Sequence, residues 1–266
     1  MFIEEVLKQV PRITGLVLML LALSGNCLFA QTIKEEAPVN KILDSLHWLG
    51  HDSFRLDASK TVYFDPWKLA ANPPKADIIL VSHEHHDHFS LEDIKLISSK
   101  DTVIVCDKTV AGQLRGKAVC REIKVLAPGE AAEISGVKIK AVPSYNTAKS
   151  FHTKESGKLG YLVTVDGVIL YHAGDTDFIP EMKNYSCDIA LLPVSGTYVM
   201  TADEAAEAAL AIGSQTAASW PAALAIKPKI AIPMHWGDIV GSIDDARRFK
   251  KLLEGKIEVR IMCPVS

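Results

Sequence analysis

The stretch ADIILVSHEHHDH (76–88) joins an apolar run to a cluster of histidines and carboxylates. Its first half, ADIILVS (76–82), is almost continuously apolar, which is typical of a strand buried on both faces of a sheet. Strands of this kind occur in sheets that are covered by helices. The stretch therefore predicts an α/β fold with a polar site at the end of a buried strand.

The polar half, HEHHDH (83–88), has the HxHxDH spacing that suits metal ligands. In extended backbone, alternate side chains face the same side, so His83 and His85 can bind one ion together. Asp87 and His88 come where the chain turns toward a helix, and they can hold a second ion close by. Crowding these groups without a metal would cost desolvation and repulsion, so the segment predicts a metal site.

Outward from this stretch, the chain alternates short β-rich runs with turn signals. Three closely spaced runs predict an antiparallel opening, and Asp166-Gly167 predicts a hairpin. Later, helices capped at Thr201 and Ser242 alternate with strands. We predict strands at HWLG (47–50), SFRLD (53–57), TVYFD (61–65), ADIILVS (76–82), TVIVC (102–106), VKIKAVPS (137–144), GYLVTV (160–165), VILYH (168–172), IALLPV (189–194), KIAIPMH (229–235) and IEVRIM (257–262). This order fits two sheets covered outside by helices, in one domain over residues 46–266.

Composition and charge exclude several classes of protein. The chain has 266 residues, 48% of them hydrophobic and 23% charged, which is ordinary for a globular protein and unlike a disordered or collagen-like chain. Its net charge of -3 argues against a general nucleic-acid binder, which needs a basic face. No apolar run reaches the roughly 18 residues that a membrane span requires.

The first thirty residues are typical of a secretory signal peptide. Basic residues precede the apolar run ITGLVLMLLAL (13–23), and a small residue, Ala30, stands at the expected cleavage site. We therefore predict a signal peptide over 1–30, a polar leader over 31–45, and a protein that is exported, either periplasmic or secreted. A lipid anchor at Cys27 and a cytosolic protein with an apolar tail are the alternatives.

A short duplication occurs in the second half of the chain. AALAI at 208–212 recurs at 222–226, which predicts that residues 213–226 are an insertion. The insertion could shape a cleft, with Trp220 as a contact. It could also be a tolerated surface insertion, since lengthening a loop costs little entropy.

Four cysteines follow residue 30, and none has the CxxC spacing of a zinc or redox motif. In an oxidising compartment Cys106, Cys120, Cys187 and Cys263 could pair in three ways. Cys106 and Cys187 lie within or beside apolar strands, where we expect small buried hydrophobes.

Four further segments, with HxHxDH, resemble one known superfamily. The segments are GHDSF (50–54), FDPW (64–67), HAGDT (172–176) and PMHW (233–236). In this combination and order the chain resembles the metallo-β-lactamase-fold hydrolases, in particular their UlaG-like branch, from about Leu46 to the C-terminus. The resemblance implies an α/β fold of the αββα four-layer sandwich type.

The resemblance also implies two divalent metal ions and a set of ligands. His83, His85 and a third histidine would hold the first ion, and Asp87, His88 and His235 the second, with Asp175 bridging. The third histidine lies between HxHxDH and Asp175, where His152 and His172 are the candidates. Strand alternation points His172 and Asp175 to opposite faces, which favours His152. Such ligands suit zinc, which we expect, with manganese or iron as alternatives.

Other residues are expected to support this site. We interpret His51 and Asp65 as residues that orient the metal ligands, or else as ordinary turn residues. Tyr145, Asn146 and Tyr198 lie in loops near the predicted mouth, where they could donate to a substrate oxygen. Aromatic packing is the alternative for the two tyrosines.

These residues predict a metal-dependent hydrolase that acts on a small molecule. A hydroxide bridging two ions would attack an ester, lactone or phosphoester bond, and Asp87 could pass a proton to the leaving group. No cysteine replaces the bridging aspartate, which makes antibiotic hydrolysis a weaker hypothesis. An iron-dependent oxidoreductase and a non-catalytic metal-binding protein are the alternative functions.

Overall fold

The computed structural model describes residues 38–215 and 226–265. The predicted signal peptide (1–30), the start of the predicted leader (31–37) and most of the predicted insertion (216–225) lie outside the described residues and stay predictions. Within the described ranges, no helix is long and apolar enough to cross a membrane.

The first sheet has six strands in sequence order and contains the strand that precedes HxHxDH. Its first three strands pair antiparallel and the remaining pairings are parallel, so the predicted antiparallel opening is confirmed. The strands are β1 (Leu46–Gly50), β2 (Ser53–Asp57), β3 (Thr61–Phe64), β4 (Ile78–Val81), β5 (Val103–Cys106) and β6 (Glu122–Val125). Every residue of β4 is buried, as its continuous apolar sequence predicts.

The second sheet has seven strands, in the order β13-β12-β11-β10-β9-β8-β7. The strands are β7 (Ala131–Ile134), β8 (Val137–Pro143), β9 (Leu159–Val165), β10 (Val168–His172), β11 (Ile189–Pro193), β12 (Ile230–Met234) and β13 (Glu258–Val259). Val168 pairs with Val165 across Asp166-Gly167, so the predicted hairpin is confirmed. The pairings from β10 to β13 are parallel, which brings the carboxyl ends of these strands to one edge.

Helices cover the sheets. Ile94 and Val110, on two of the helices, pack into one apolar cluster with Ile79 and Ile104 of the first sheet. The helices are α1 (38–44), α2 (Leu91–Ile97), α3 (Lys108–Leu114), α4 (Ala202–Ala211) and α5 (Ile243–Leu252), with short 3₁₀ turns at Lys154–Ser156 and Pro180–Asn184. Thr201 and Ser242 cap their helices with complete capping boxes, as predicted. The architecture is the expected α/β sandwich.

Edge strands are where sequence and structure differ. β6 and β7 were not predicted, because each lies at the edge of its sheet and its side chains are only partly buried. The predicted strand 257–262 shortens to Glu258–Val259, which pairs with β12 through two residues. Strands at an edge have a weak hydrophobic pattern, since solvent covers one side.

The two ends of the predicted insertion adjoin each other. A Cβ added to Gly213 would lie 2.7 Å from the carbonyl oxygen of Ile226. The chain could therefore pass from one end to the other with little rearrangement. Whether residues 213–226 are an insertion stays a prediction.

All four described cysteines are free. Cys106 and Cys187 are fully buried, as expected of small core residues, and Cys263 is exposed. Burial raises the pKa of the Cys106 thiol to about 12, so this thiol is unreactive at neutral pH.

Candidate metal centre

The candidate site is built from the loops that leave β4, β8, β10 and β12, together with the turn between β1 and β2. Tyr161, on β9, donates a hydrogen bond of 2.7 Å to the carbonyl oxygen of Val81, the last residue of β4. Leu159 N–H donates to the carbonyl oxygen of Ser82 at 3.1 Å. These bonds join the ends of the two sheets at the point where HxHxDH begins.

The first donor group consists of His83, His85, His152 and Asp175. His85 Nδ1 lies 3.1 Å from His83 Nε2 and 3.3 Å from His152 Nε2. Asp175 Oδ2 lies 3.5 Å from His152 Nε2 and 4.0 Å from His83 Nε2. Ligand atoms around a tetrahedral zinc ion are about 3.3 Å apart, so this group has the spacing of a metal site.

The second donor group consists of His51, Asp52, His88 and His235, all buried. Asp175 Oδ1 lies 3.3 Å from both His88 Nε2 and His235 Nε2. The two oxygens of Asp175 therefore face different donor groups, which is the arrangement of a bridging carboxylate. Gly174, with a φ of +62°, lets the chain before Asp175 pack against the start of β9, because a Cβ there would lie 2.8 Å from the carbonyl oxygen of Leu159.

Several atoms in the site have no hydrogen-bond partner among the described residues. They are His51 Nδ1, both carboxylate oxygens of Asp52, His88 Nε2, His152 Nδ1, Asp175 Oδ1 and His235 Nε2. Native proteins rarely leave buried polar atoms unsatisfied, because desolvation without a partner is costly. Three of these atoms, His88 Nε2, His235 Nε2 and Asp175 Oδ1, face one another, and such a set of imidazole nitrogens and a carboxylate oxygen fits a divalent cation.

The histidines of the two groups differ in charge. Burial lowers the pKa values of His83 and His85, and lowers that of His152 to about 4. These three rings are neutral at pH 7, the form in which imidazole binds a metal.

The second group is more strongly charged. Burial alone would lower the pKa of His88 and of His235, but Asp175 beside them raises the first well above its usual value and the second to about 9. Burial would raise the pKa of Asp175, yet the two histidines hold it well below its usual range. Burial raises the pKa of Asp52 to about 8.

A buried Asp65–Ser82 pair orients one histidine of each group. Asp65 accepts hydrogen bonds from Ser82 N–H (2.7 Å), Ser82 Oγ–H (2.6 Å) and His88 Nδ1 (2.8 Å). Ser82 Oγ, whose hydrogen is used, accepts from His83 Nδ1 at 2.9 Å. Both rings therefore carry hydrogen on Nδ1 and turn Nε2 toward the site. The expected orienting role of Asp65 agrees with this geometry, whereas Ser82 was missed although it directly precedes the motif.

His51 and Asp87 interact directly. His51 Nε2 lies 3.2 Å from Asp87 Oδ2, and this oxygen is 3.7 Å from His88 Nε2. His51 thus lies within the second donor group as well as orienting Asp87. Asp87 stands beside that group, and its carboxylate is partly exposed. Asp52, which the structure puts in the group, was missed; its only sequence signal is its place after His51.

The structure places the two candidates for the third histidine in different surroundings. His152 belongs to the first donor group. His172 instead donates from Nε2 to the backbone carbonyl of Asp52 at 2.9 Å and stacks on Phe64, with ring centroids 5.3 Å apart. His172 therefore supports the turn between β1 and β2 from within the core.

Two of the expected substrate-binding residues have internal partners. Tyr145 OH donates to Glu181 at 3.0 Å. The Asn146 amide donates to Asp177 (3.1 Å) and accepts from His152 N–H (3.1 Å), so it holds the loop that carries His152.

Tyr198, the third expected substrate residue, is partly exposed. Its ring packs edge-on against Phe151, with centroids 4.8 Å apart. Phe151 is half exposed and adjoins His152, so this aromatic pair lies next to the first donor group.

An αββα sandwich with two donor groups joined by one carboxylate defines a metal-binding protein of the metallo-β-lactamase fold. A family model described as a beta-lactamase superfamily domain matches residues 45–235. The chain belongs to the beta-lactamase superfamily.

Individual relatives extend this assignment. The chain is 31% identical over 230 residues to a UPF0173 metal-dependent hydrolase of Thermococcus kodakarensis, covering 82% of this chain and 95% of that one. A crystal structure of a candidate metal-dependent hydrolase from Parabacteroides distasonis matches with 34% identity and a TM-score of 0.67, over 83% of this chain and 93% of that one. Igni18, a metallo hydrolase of Ignicoccus hospitalis, shares the fold at 21% identity and a TM-score of 0.63, over 83% and 95% of the two chains. Membership of the UlaG-like branch stays a prediction.

Proposed function

We propose that this protein is a dinuclear metal-dependent hydrolase that cleaves an ester, lactone or phosphoester bond of a small molecule. The observation that carries the proposal is Asp175, whose two oxygens face two donor groups that contain unpartnered buried atoms. Relatives named as metal-dependent hydrolases support it. The signal-peptide pattern over 1–30 adds that the enzyme acts after export.

The first ion would be held by His83, His85 and His152, and the second by His88 and His235 with Asp87, while Asp175 binds both. Zinc is the metal to test first, followed by manganese and iron. When bound, such a pair of ions supplies a hydroxide nucleophile near neutral pH and polarises the oxygen of the scissile bond.

Asp87 is the side chain expected to transfer the proton between the attacking water and the leaving group. Burial would raise the pKa of Asp87, but the hydrogen bond from His51 and the charge of His88 hold it well below its usual range. Asp87 is therefore ionised at neutral pH. Its low pKa makes it a weak base, but once it has taken a proton from the attacking water its protonated form would be a strong acid. Because its carboxylate is partly exposed, it can return that proton to a leaving group that departs toward solvent.

Other residues keep the site in place and shape its mouth. Ser195 Oγ lies 2.8 Å from His235 Nδ1 and fixes that ring, as the Asp65–Ser82 pair fixes His83 and His88. The exposed side of Tyr198 is available to contact a substrate beside the first donor group.

A substrate panel tests the proposal. Protein purified after expression of the full chain would be assayed on phosphodiester, phosphomonoester, lactone and carboxyl-ester probes. We expect hydrolysis of at least one probe, its loss on treatment with a chelator, and its recovery when zinc, manganese or iron is added back. N-terminal sequencing of the same protein tests cleavage after Ala30.

Two histidines of one motif provide a matched pair of variants. His85→Ala removes a member of the first donor group and should abolish every activity of the parent. His86→Ala removes a neighbour whose side chain is 81% exposed and should leave activity unchanged. Activity that persists in His85→Ala would contradict the assignment of the site.

A further inference from the structure

Asp52 is a buried carboxylate that the HxHxDH motif does not account for. The residue is 0% exposed, and within residues 38–215 and 226–265 neither of its carboxylate oxygens has a hydrogen-bond partner. An ionised carboxylate in this position is costly unless a cation or a set of donors compensates it. Because donors are missing, the physical expectation is a cation.

The fold fixes the turn that carries Asp52. The His51 carbonyl accepts hydrogen bonds from Trp48 Nε1 (2.9 Å) and from His235 N–H (3.0 Å). His172 donates to the carbonyl of Asp52 itself. His51 has a φ of +51°, in the left-handed region that a non-glycine residue rarely adopts. The position of Asp52 is therefore imposed by contacts from both sheets.

Distances place Asp52 in a four-atom set. Asp52 Oδ2 lies 3.5 Å from His88 Nε2 and 3.8 Å from His235 Nε2. Both nitrogens are 3.3 Å from Asp175 Oδ1. These separations are close to the roughly 3.3 Å expected between ligand atoms of a tetrahedral metal site. Asp87, in contrast, already accepts a hydrogen bond from His51 and lies 3.7 Å from His88.

Charge leads to the same conclusion. Three carboxylates, those of Asp175, Asp52 and Asp87, lie 3.3, 3.5 and 3.7 Å from His88 Nε2. In the first donor group Asp175 is the only carboxylate. The second group therefore brings more carboxyl groups to one bound cation than the first group does.

We propose that Asp52 is a direct ligand of the second metal ion, together with His88, His235 and Asp175. This inference rests on the proposed function, since it requires a protein that binds two ions. It makes the two sites chemically unequal. The first site is dominated by imidazole. The second gains the carboxylate of Asp52 beside Asp175, His88 and His235, and Asp87 stays at its edge, hydrogen-bonded to His51.

Zinc titration of the metal-free full-length protein tests this assignment. Calorimetry gives the affinities, and elemental analysis after gel filtration gives the ions retained per chain. We expect two ions in the wild type. Asp52→Asn should keep the first ion and bind the second at least about 100-fold more weakly, the upper end of the loss seen when mere supporting residues are removed.

The control is Asp57→Asn, the same chemical change at a partly exposed carboxylate that pairs with Arg55. It should bind both ions as the wild type does. An Asp52→Asn protein with two wild-type affinities overturns the inference and leaves the proposed function intact. A wild type that binds fewer than two ions overturns the dinuclear proposal itself.

A second measurement applies if Asp52→Asn does not fold. The wild-type protein would be crystallised with zinc and the ions located by anomalous scattering. An Asp52 oxygen about 2.0–2.2 Å from the second ion supports the inference. An ion bound between His88 and His235 with Asp52 outside its coordination sphere overturns it.

Discussion

The two donor groups share Asp175 but differ in burial and in the charge of their histidines. In the first group three rings made neutral by burial surround one carboxylate oxygen, and His85 is partly exposed. In the second group every member is buried, and charged histidines face several carboxylates. Among the residues of the two groups, His85 of the first group is the one that solvent reaches.

This difference indicates that the two donor groups have different roles. Neutral imidazoles bind a metal without first losing a proton, whereas the buried carboxylates of the second group gain most from a cation that compensates them. Substrate contact is expected beside His85 and the Phe151–Tyr198 pair. The second group is expected to act mainly by holding its ion and Asp87 in place.

The largest effect is expected from the one residue that both groups share. Asp175→Ala removes a ligand from each site at once, so kcat/KM should fall by about 1000-fold or more and both ions should bind weakly. Steady-state kinetics and elemental analysis of the same sample measure this. Retention of two tightly bound ions would show that Asp175 does not bridge.

Variants confined to one group test whether the groups are separate. His152→Ala should lose the first ion and His235→Ala the second, each leaving about one ion per chain and lowering kcat/KM by roughly 100-fold. Elemental analysis counts the ions. If either variant loses both ions, the groups form a single cooperative unit and the comparison fails.

Much of the first group could be predicted from the sequence, because its signals are local. The HxHxDH motif follows a strand whose burial is evident from its composition, and alternation along β10 favoured His152 over His172 as the third histidine. The structure brings together His83, His85, His152 and Asp175 as expected. Local pattern pointed to His83 and His85, whereas the bridging role of Asp175 and the search for a third histidine came from the resemblance to the metallo-β-lactamase fold.

The second group could be predicted only in part. His88 and His235 are where the sequence analysis expected them, but the places of His51 and Asp52 depend on a left-handed turn held by β12 and His172. No sequence pattern predicts that a histidine has a positive φ. Partners that are distant in sequence, such as Asp177 for Asn146, likewise changed the interpretation of the predicted substrate-binding residues.

A smaller effect, spread over both groups, is expected from Ser82→Ala. The change removes a hydrogen bond to Asp65 and the acceptor that fixes His83, so each ion should bind about 10- to 100-fold more weakly. Calorimetric titration with zinc resolves the two affinities. Ser195→Ala is the matched control, because its hydroxyl bonds His235 of the second group, and its loss should weaken the second ion. If Ser82→Ala weakens only the second ion, as Ser195→Ala is expected to do, the Asp65–Ser82 pair does not orient a histidine of each group.

The smallest effect is expected at the loop that delivers His152. Asn146→Ala removes the acceptor for His152 N–H and the donor to Asp177, so the first ion should bind up to about 10-fold more weakly while the second is unaffected. The lost bonds should also lower the free energy of unfolding by about 1–3 kcal/mol, measured by urea denaturation. Tyr145→Phe is the control, since its hydroxyl bonds Glu181 rather than the His152 backbone, and it should bind both ions normally. If Asn146→Ala changes KM and leaves the affinity for both metal ions unchanged, Asn146 is a substrate-binding residue and does not position His152. The geometry of the first donor group would then depend on the other contacts of the loop.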